Sequence, residues 1–223
     1  MREDWYRVHL NDYVVKVYDT EVADVDGKAV VTSDVSFGWS ILQPFAYIKA
    51  VYTFDENGVD IKCKVKVGEK VELLPRFGIR LFLDKSFEDV SYFGYGPYES
   101  YIDKHQASFI GNFTDKVSQM YEDYVKPQEN SSHCGCKQMS ISDGSTIIKF
   151  VKDSGFSFNA SEYTQEELAK KKHNFKLEKC EFNVLCVDYM MAGVGSNACG
   201  PKLAEKYRLP LPEFDAHFHM SIK

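Results

Sequence analysis

The stretch Glu56-Asn-Gly-Val-Asp-Ile-Lys-Cys-Lys-Val-Lys-Val67 constrains this chain more than any other. From Val59 to Val67, apolar and charged residues alternate with a period of two, so one face must enter a core while the other meets water. Glu56-Asn57-Gly58, directly before it, reads as a tight reversal and makes Ala46–Phe54 the partner of a hairpin. Asp26-Gly27 plays the same part between Tyr13–Val25 and Lys28–Phe37. Further runs rich in β-branched and aromatic residues read as strands: Arg76–Leu83, Val90–Tyr95, Gly135–Ser142, Thr146–Val151, Phe175–Cys186 and His217–Ile222. Only one segment reads as a helix, where Thr164 and Glu167 form a capping box ahead of Leu168-Ala-Lys-Lys-Lys172. With no internal repeat and no Pro/Gly-rich linker, the chain is expected to form one large antiparallel β-sandwich with one short helix.

Charge and composition narrow the function. The formal net charge is −6 and no basic stripe is present. The cluster Lys170-Lys171-Lys172 sits where the helix ends and complements its dipole, so nucleic acid is excluded as a partner. The longest uncharged run, Val35–Ile48, contains Pro44 and falls short of the roughly 20 residues of a membrane span. Met1-Arg-Glu-Asp-Trp-Tyr6 has no apolar core of a secretory leader. The six cysteines are too sparse for a disulfide scaffold, and Cys63, Cys180 and Cys186 lie in strand-like contexts that suit buried free thiols. A reducing cytoplasm is the expected compartment.

Several clusters could carry chemistry. Glu99 and Asp103, in Gly94-Tyr-Gly-Pro-Tyr-Glu-Ser-Tyr-Ile-Asp103, could be an acid/base pair, although carboxylates in such turns more often accept backbone N–H bonds. His133, Cys134 and Cys136 lack a second ligand pair and are read as structural, with no metal. Asp215, His217 and His219 share one strand face, where they could converge on a ligand or simply meet water. Gly193-Val-Gly-Ser-Asn-Ala-Cys-Gly-Pro201 follows a strand and contains no carboxylate and no base. Its glycines allow close backbone approach, which suits a pocket wall better than a catalytic centre.

Five stretches together carry a resemblance. They are Leu74-Pro-Arg-Phe-Gly78; Gly94 to Asp103; Tyr124-Val-Lys-Pro-Gln-Glu-Asn130; Phe156-Ser-Phe-Asn-Ala-Ser161 with Tyr163 and Leu168; and Asp188 to Pro201. In order and spacing the chain resembles the C-terminal domain, or small chain, of the large β-galactosidases of glycoside hydrolase family 2, lactose-hydrolysing type. The resemblance implies a β-supersandwich of galactose mutarotase-like fold, one domain over residues 1–223 and shortened at its N-terminus. It implies that both catalytic glutamates, with the magnesium and sodium ions, belong to a separate barrel domain, so this chain holds no catalytic residue and no cofactor. The implied role is support of the barrel and a loop lent to the galactoside pocket, with Gly195, Ser196, Asn197, Cys199 and Gly200 as the substrate-binding candidates. Cys199 stands where some members place a tryptophan, and Ser131 and His133 stand where the family usually has glycine and arginine. A homo-oligomer is a further implied partner.

Two other readings compete. A free-standing aldose epimerase would need a histidine acid and a carboxylate base, for which His217 or His219 with Glu99 are the candidates. A sugar-binding module would use exposed aromatics such as Tyr95 and Tyr98.

Overall fold

A computed structural model describes residues 10, 12–39, 41–194 and 202–223. The described residues form eleven strands: β1 Val14–Val25, β2 Lys28–Gly38, β3 Ala46–Asp55, β4 Gly58–Val67, β5 Arg76–Leu83, β6 Asp89–Gly96, β7 Phe109–Lys116, β8 Ser132–Ser142, β9 Ile147–Ser161, β10 Asn183–Met191 and β11 Glu213–Ile222. All pairings are antiparallel, in the order β1-β2-β3-β4-β11-β9-β8-β6-β7, with β10 joining β9 to β5. The expected all-β, antiparallel architecture is what the chain adopts.

Local sequence explains the hairpins. Asp26 and Gly27 both take positive φ, 52° and 77°, and close the β1–β2 turn. In β4 the apolar side chains Val59, Ile61, Cys63, Val65 and Val67 are buried, while Lys62, Lys64 and Lys66 are exposed. Each such buried aliphatic side chain contributes about 1.5–3 kcal/mol of transfer free energy.

The sheet turns a corner inside β9. Residues Ile148–Val151 pair with β11, whereas Ser157–Ser161 pair with β10. Gly155 supplies a φ of 83° at the junction, and the facing strand β8 is bulged around Gly135 (φ 64°). Bulges and bends of this kind let one strand serve two sheet segments. The two segments then pack face to face: Phe214 of β11 meets Phe77 of β5 and Tyr189 of β10, with ring centroids 5.2 and 5.7 Å apart. Between them lies a core that includes Phe150, Phe158, Met139, Ile141, Leu185 and Val187.

Three sequence expectations are corrected. β9 runs on past Val151 to Ser161, because Lys152-Asp-Ser-Gly155 bends the strand instead of ending it. The strand expected at Phe175–Cys186 starts only at Asn183; Asn174–Lys176 is a 3-10 turn and Phe175 is exposed. Cys180 therefore lies outside any strand and is only half-buried, unlike Cys63 and Cys186. β7 carried too weak an apolar pattern to be read, since only alternate residues of this edge strand are even partly covered.

The short helix α1, Gln165–Lys170, starts as expected, with Thr164 Oγ1 accepting the Glu167 N–H at 3.1 Å. The reciprocal half of the capping box is not made. Glu167 instead takes Lys171 at 3.2 Å and the Glu178 N–H at 2.9 Å.

Candidate functional site

The chain leaving β10 is fixed residue by residue. Ala192 donates its N–H to Pro75 O at 2.9 Å, and Gly193 donates to Tyr207 O at 3.0 Å. Val194 N–H then bonds Asp103 Oδ1 at 2.9 Å. On the far side, Leu203 is buried and its carbonyl accepts the Arg208 Nε–H at 2.8 Å. Between these two ends lie Gly195, Ser196, Asn197, Cys199 and Gly200, the sequence-derived pocket candidates, all outside the described residues.

Asp103 belongs to a turn closed by reciprocal backbone bonds between Tyr101 and Lys104. That turn is tied down through Glu99, which accepts Lys104 Nζ at 2.6 Å, Ser131 N–H at 3.0 Å and the Tyr124 hydroxyl. Burial pushes the Glu99 carboxyl up, but these donors outweigh it and hold the group below the usual carboxylate range. Both carboxylates singled out in the sequence thus accept backbone N–H bonds, the structural alternative weighed for them.

Where they pair with each other, β9 and β10 are buried on both faces. One face is apolar (Phe158, Ala160, Leu185, Val187) and the other is polar (Ser157, Asn159, Asp188). Arg76 reaches across this second face, donating Nε and Nη2 to the two oxygens of Asp188 at 2.9 and 2.5 Å and Nη1 to Glu129 at 3.1 Å. Burial pushes Asp188 up, against the pull of the guanidinium, and pushes Glu129 up as well. Asn159 Nδ2–H donates to Asn130 O at 2.5 Å, next to Glu129 in the chain. Sequence reasoning did not single out this triad as a unit. The available signal was Asp188 itself, a carboxylate within an otherwise apolar strand, which requires a buried cation.

The other candidates resolve individually. His133 is sandwiched between Tyr92 and Phe158, at ring centroid distances of 4.6 and 5.3 Å. Its Nδ1 donates to Tyr95 O at 3.2 Å, and burial lowers its pKa to about 4. The Cys136 thiol bonds the His133 carbonyl at 3.4 Å, and burial pushes its pKa up. Among the described residues no three His, Cys, Asp or Glu side chains are grouped to hold a metal ion.

His217 Nε2 and His219 Nδ1 both meet Asp60 Oδ1, at 2.9 and 3.2 Å, on the solvent face of the β4–β11 pair. Asp215 lies exposed on that face, opposite Lys64. The histidines and Glu99 have separate partner sets, and no bond joins them into an acid/base pair. Tyr95 packs on His105 at 4.6 Å, while Tyr98 is exposed.

Residues 1–222 match the family described as Beta galactosidase small chain. A β-galactosidase of Actinobacillus pleuropneumoniae is 44% identical over 168 residues, covering 75% of this chain and 16% of that protein. One of Staphylococcus xylosus is 30% identical over 221 residues, covering 99% of this chain and 22% of that protein. The chain thus spans about a fifth of the length of these relatives. Among solved structures, a galactose mutarotase related enzyme of Lactobacillus acidophilus has a TM-score of 0.46 at 9% identity, over 92% of this chain and 71% of that one. A galactose mutarotase-like protein of Lactobacillus casei has a TM-score of 0.41 at 10% identity, over 92% and 74%. By its match along almost its whole length, this chain is a member of the β-galactosidase small chain family.

Proposed function

We propose that this chain is the non-catalytic small-chain domain of a β-galactosidase acting on terminal β-D-galactosides of the lactose type. The carrying observation is that likeness to β-galactosidases runs through the whole chain, while the chain corresponds to only 16–22% of their length. The bond-breaking glutamates, with the magnesium and sodium ions, would sit on the barrel-bearing remainder, and the sugar would be released with retention through a covalent galactosyl-enzyme.

In this reading Ser196 and Asn197 offer hydrogen bonds to sugar hydroxyls, Gly195 and Gly200 allow close backbone approach, and Cys199 lines the wall. The anchored ends of this segment, at Gly193–Val194 and Leu203, support it, because a pocket wall needs fixed ends. Cytoplasmic residence is supported by the described cysteines, all of them free. No helix among the described residues is long and apolar enough to cross a membrane.

The test is Asn197→Ala in the assembled enzyme. The expected result is a KM for a chromogenic galactoside raised about tenfold, the loss of one polar contact to substrate. Unchanged kinetic constants would refute the pocket contribution.

A further inference from the structure

We propose that a monovalent metal cation binds where the polar face of β8 and β9 meets Glu129 and Tyr101, held by Glu129 Oε1, Asn159 Oδ1, Ser132 Oγ and the Tyr101 hydroxyl. The site stands on this chain's own residues and does not depend on the β-galactosidase reading.

Each of these four oxygens is covered and has no hydrogen-bond partner among the described residues. Tyr101, Ser132 and Asn159 are 3%, 0% and 3% exposed, so bulk water does not serve them. Leaving a buried polar atom unbonded is costly, and natural structures supply such atoms with a partner. The missing partner must be one that oxygen lone pairs attract. Asn159 turns its Nδ2–H onto Asn130 O at 2.5 Å, which leaves Oδ1, an acceptor only. Glu129 gives Oε2 to Arg76 Nη1 at 3.1 Å, which leaves Oε1. A carboxylate oxygen, an amide oxygen and two hydroxyls, with no nitrogen or sulfur, form the ligand set of a hard cation.

The fold gathers these groups. Ser132 of β8 and Asn159 of β9 are direct cross-strand partners, so their side chains leave the same face as neighbours. The bond from Asn159 to Asn130 O draws its amide to the residue next to Glu129. Arg76 holds Glu129 beside Asp188, and Asp188 shares with Asn159 the polar face of the β9–β10 pairing. Ser100 N–H bonds Ser132 O at 2.6 Å, which seats the next residue, Tyr101, against β8. Burial, and after it the charges of Glu129 and Glu99, push the Tyr101 hydroxyl well above the usual phenol range. Glu129 is therefore close enough to act on it.

Charge selects the valence. Arg76 carries one positive charge against one negative charge each on Asp188 and Glu129, which leaves one negative charge in excess. Lys104 and Glu99 balance each other beside this group. A buried excess charge needs compensation. A monovalent cation supplies it, whereas a divalent ion would only reverse the sign. A single carboxylate among neutral oxygens also separates the site from a transition-metal centre of three His, Cys, Asp or Glu side chains, which the described residues do not form.

The test is thermal unfolding of the chain at constant ionic strength, with N-methyl-D-glucamine chloride replaced stepwise by potassium or sodium chloride. At least one alkali salt should raise Tm by about 4 °C, saturating in the millimolar range. The rise should shrink on acidification, as protons compete for Glu129. Glu129→Gln should abolish it. Tyr101→Phe and Ser132→Ala each remove one oxygen without touching a charge, and they decide the matter if Glu129→Gln does not fold. Each should cut the rise by about half, while in the glucamine salt it stays within about 2 °C of wild type, since it loses only an unbonded hydroxyl.

The same Tm in all three salts overturns the site. So does a rise that survives intact in Glu129→Gln or in both hydroxyl variants, because the cation then binds elsewhere. A rise given by magnesium chloride and by neither alkali salt overturns the monovalent assignment.

Discussion

Ser131 holds a left-handed backbone, with φ at 60°, and turns its N–H onto Glu99 Oε2 at 3.0 Å. Side chains other than glycine seldom adopt this conformation, and β-branched ones are the most strained there. Ser131 is buried, so the strain cannot be released without losing the bond to Glu99. Ser131→Gly should leave stability within about 1 kcal/mol of wild type, relief of strain offsetting the lost bond from its hydroxyl to Asn130. Ser131→Val should cost about 2–3 kcal/mol. Urea unfolding midpoints of the two variants check this, and equal midpoints would contradict it.

Glu99 sets an acid limit. Its carboxyl, pushed up by burial but pulled down further by Lys104, Tyr124 and the Ser131 N–H, has a folded pKa below its unfolded one. The stability it confers is complete above the unfolded value and is lost as pH falls through the folded one. Glu99→Gln should therefore be less stable than wild type at neutral pH, with the gap narrowing as pH drops below about 4.5, the ordinary value. Chemical unfolding at a series of pH values measures the gap. A constant gap would mean that the charge is not what holds the turn.

His133 acts in a higher window. Burial between Tyr92 and Phe158 lowers its pKa from 6.5 to about 4, so between these values the unfolded chain binds a proton that the folded chain rejects. Stability should then fall as pH drops from about 6.5 to about 4, by roughly 3 kcal/mol in all. His133→Phe, which loses the bond to Tyr95 O, should show a smaller slope across that range. An identical slope in both proteins would place the titration elsewhere.

The Arg76–Asp188 pair should be costly to break from one side. Arg76→Met leaves Asp188, which is 2% exposed, without its bidentate partner, and should destabilise by about 3–5 kcal/mol. Replacing both, Arg76→Met with Asp188→Leu, should recover part of that loss, because the buried Asp188 charge is then gone and only Glu129 is left without its Arg76 partner. A double variant as unstable as the single one would show that shape rather than charge is the constraint.

Much of this architecture was legible in local patterns. The β4 alternation, the Asp26-Gly27 and Glu56-Asn57-Gly58 reversals and the Thr164 cap are set by neighbours in sequence, and the chain adopts each of them. What failed depended on distant residues. Gly155 reads as a strand end until β10 and β11 compete for the two halves of β9. Asp188 and Arg76, 112 residues apart, meet only because β5 pairs with β10. Glu99 and Asp103 were noticed as carboxylates in a turn, but their acceptor roles toward Ser131 and Val194 come from the fold. The proposed pocket residues Gly195, Ser196, Asn197, Cys199 and Gly200 rest on resemblance alone, and they lie outside the described residues.

The central claim is that this chain supports galactoside hydrolysis without performing it. The most direct measurement is hydrolysis of a chromogenic galactoside by the purified chain, and by the same chain joined with the proposed barrel-bearing remainder. The account predicts no turnover above background from the chain alone and restored turnover on joining. Turnover by the pure chain, surviving controls for contaminating enzyme, would contradict it.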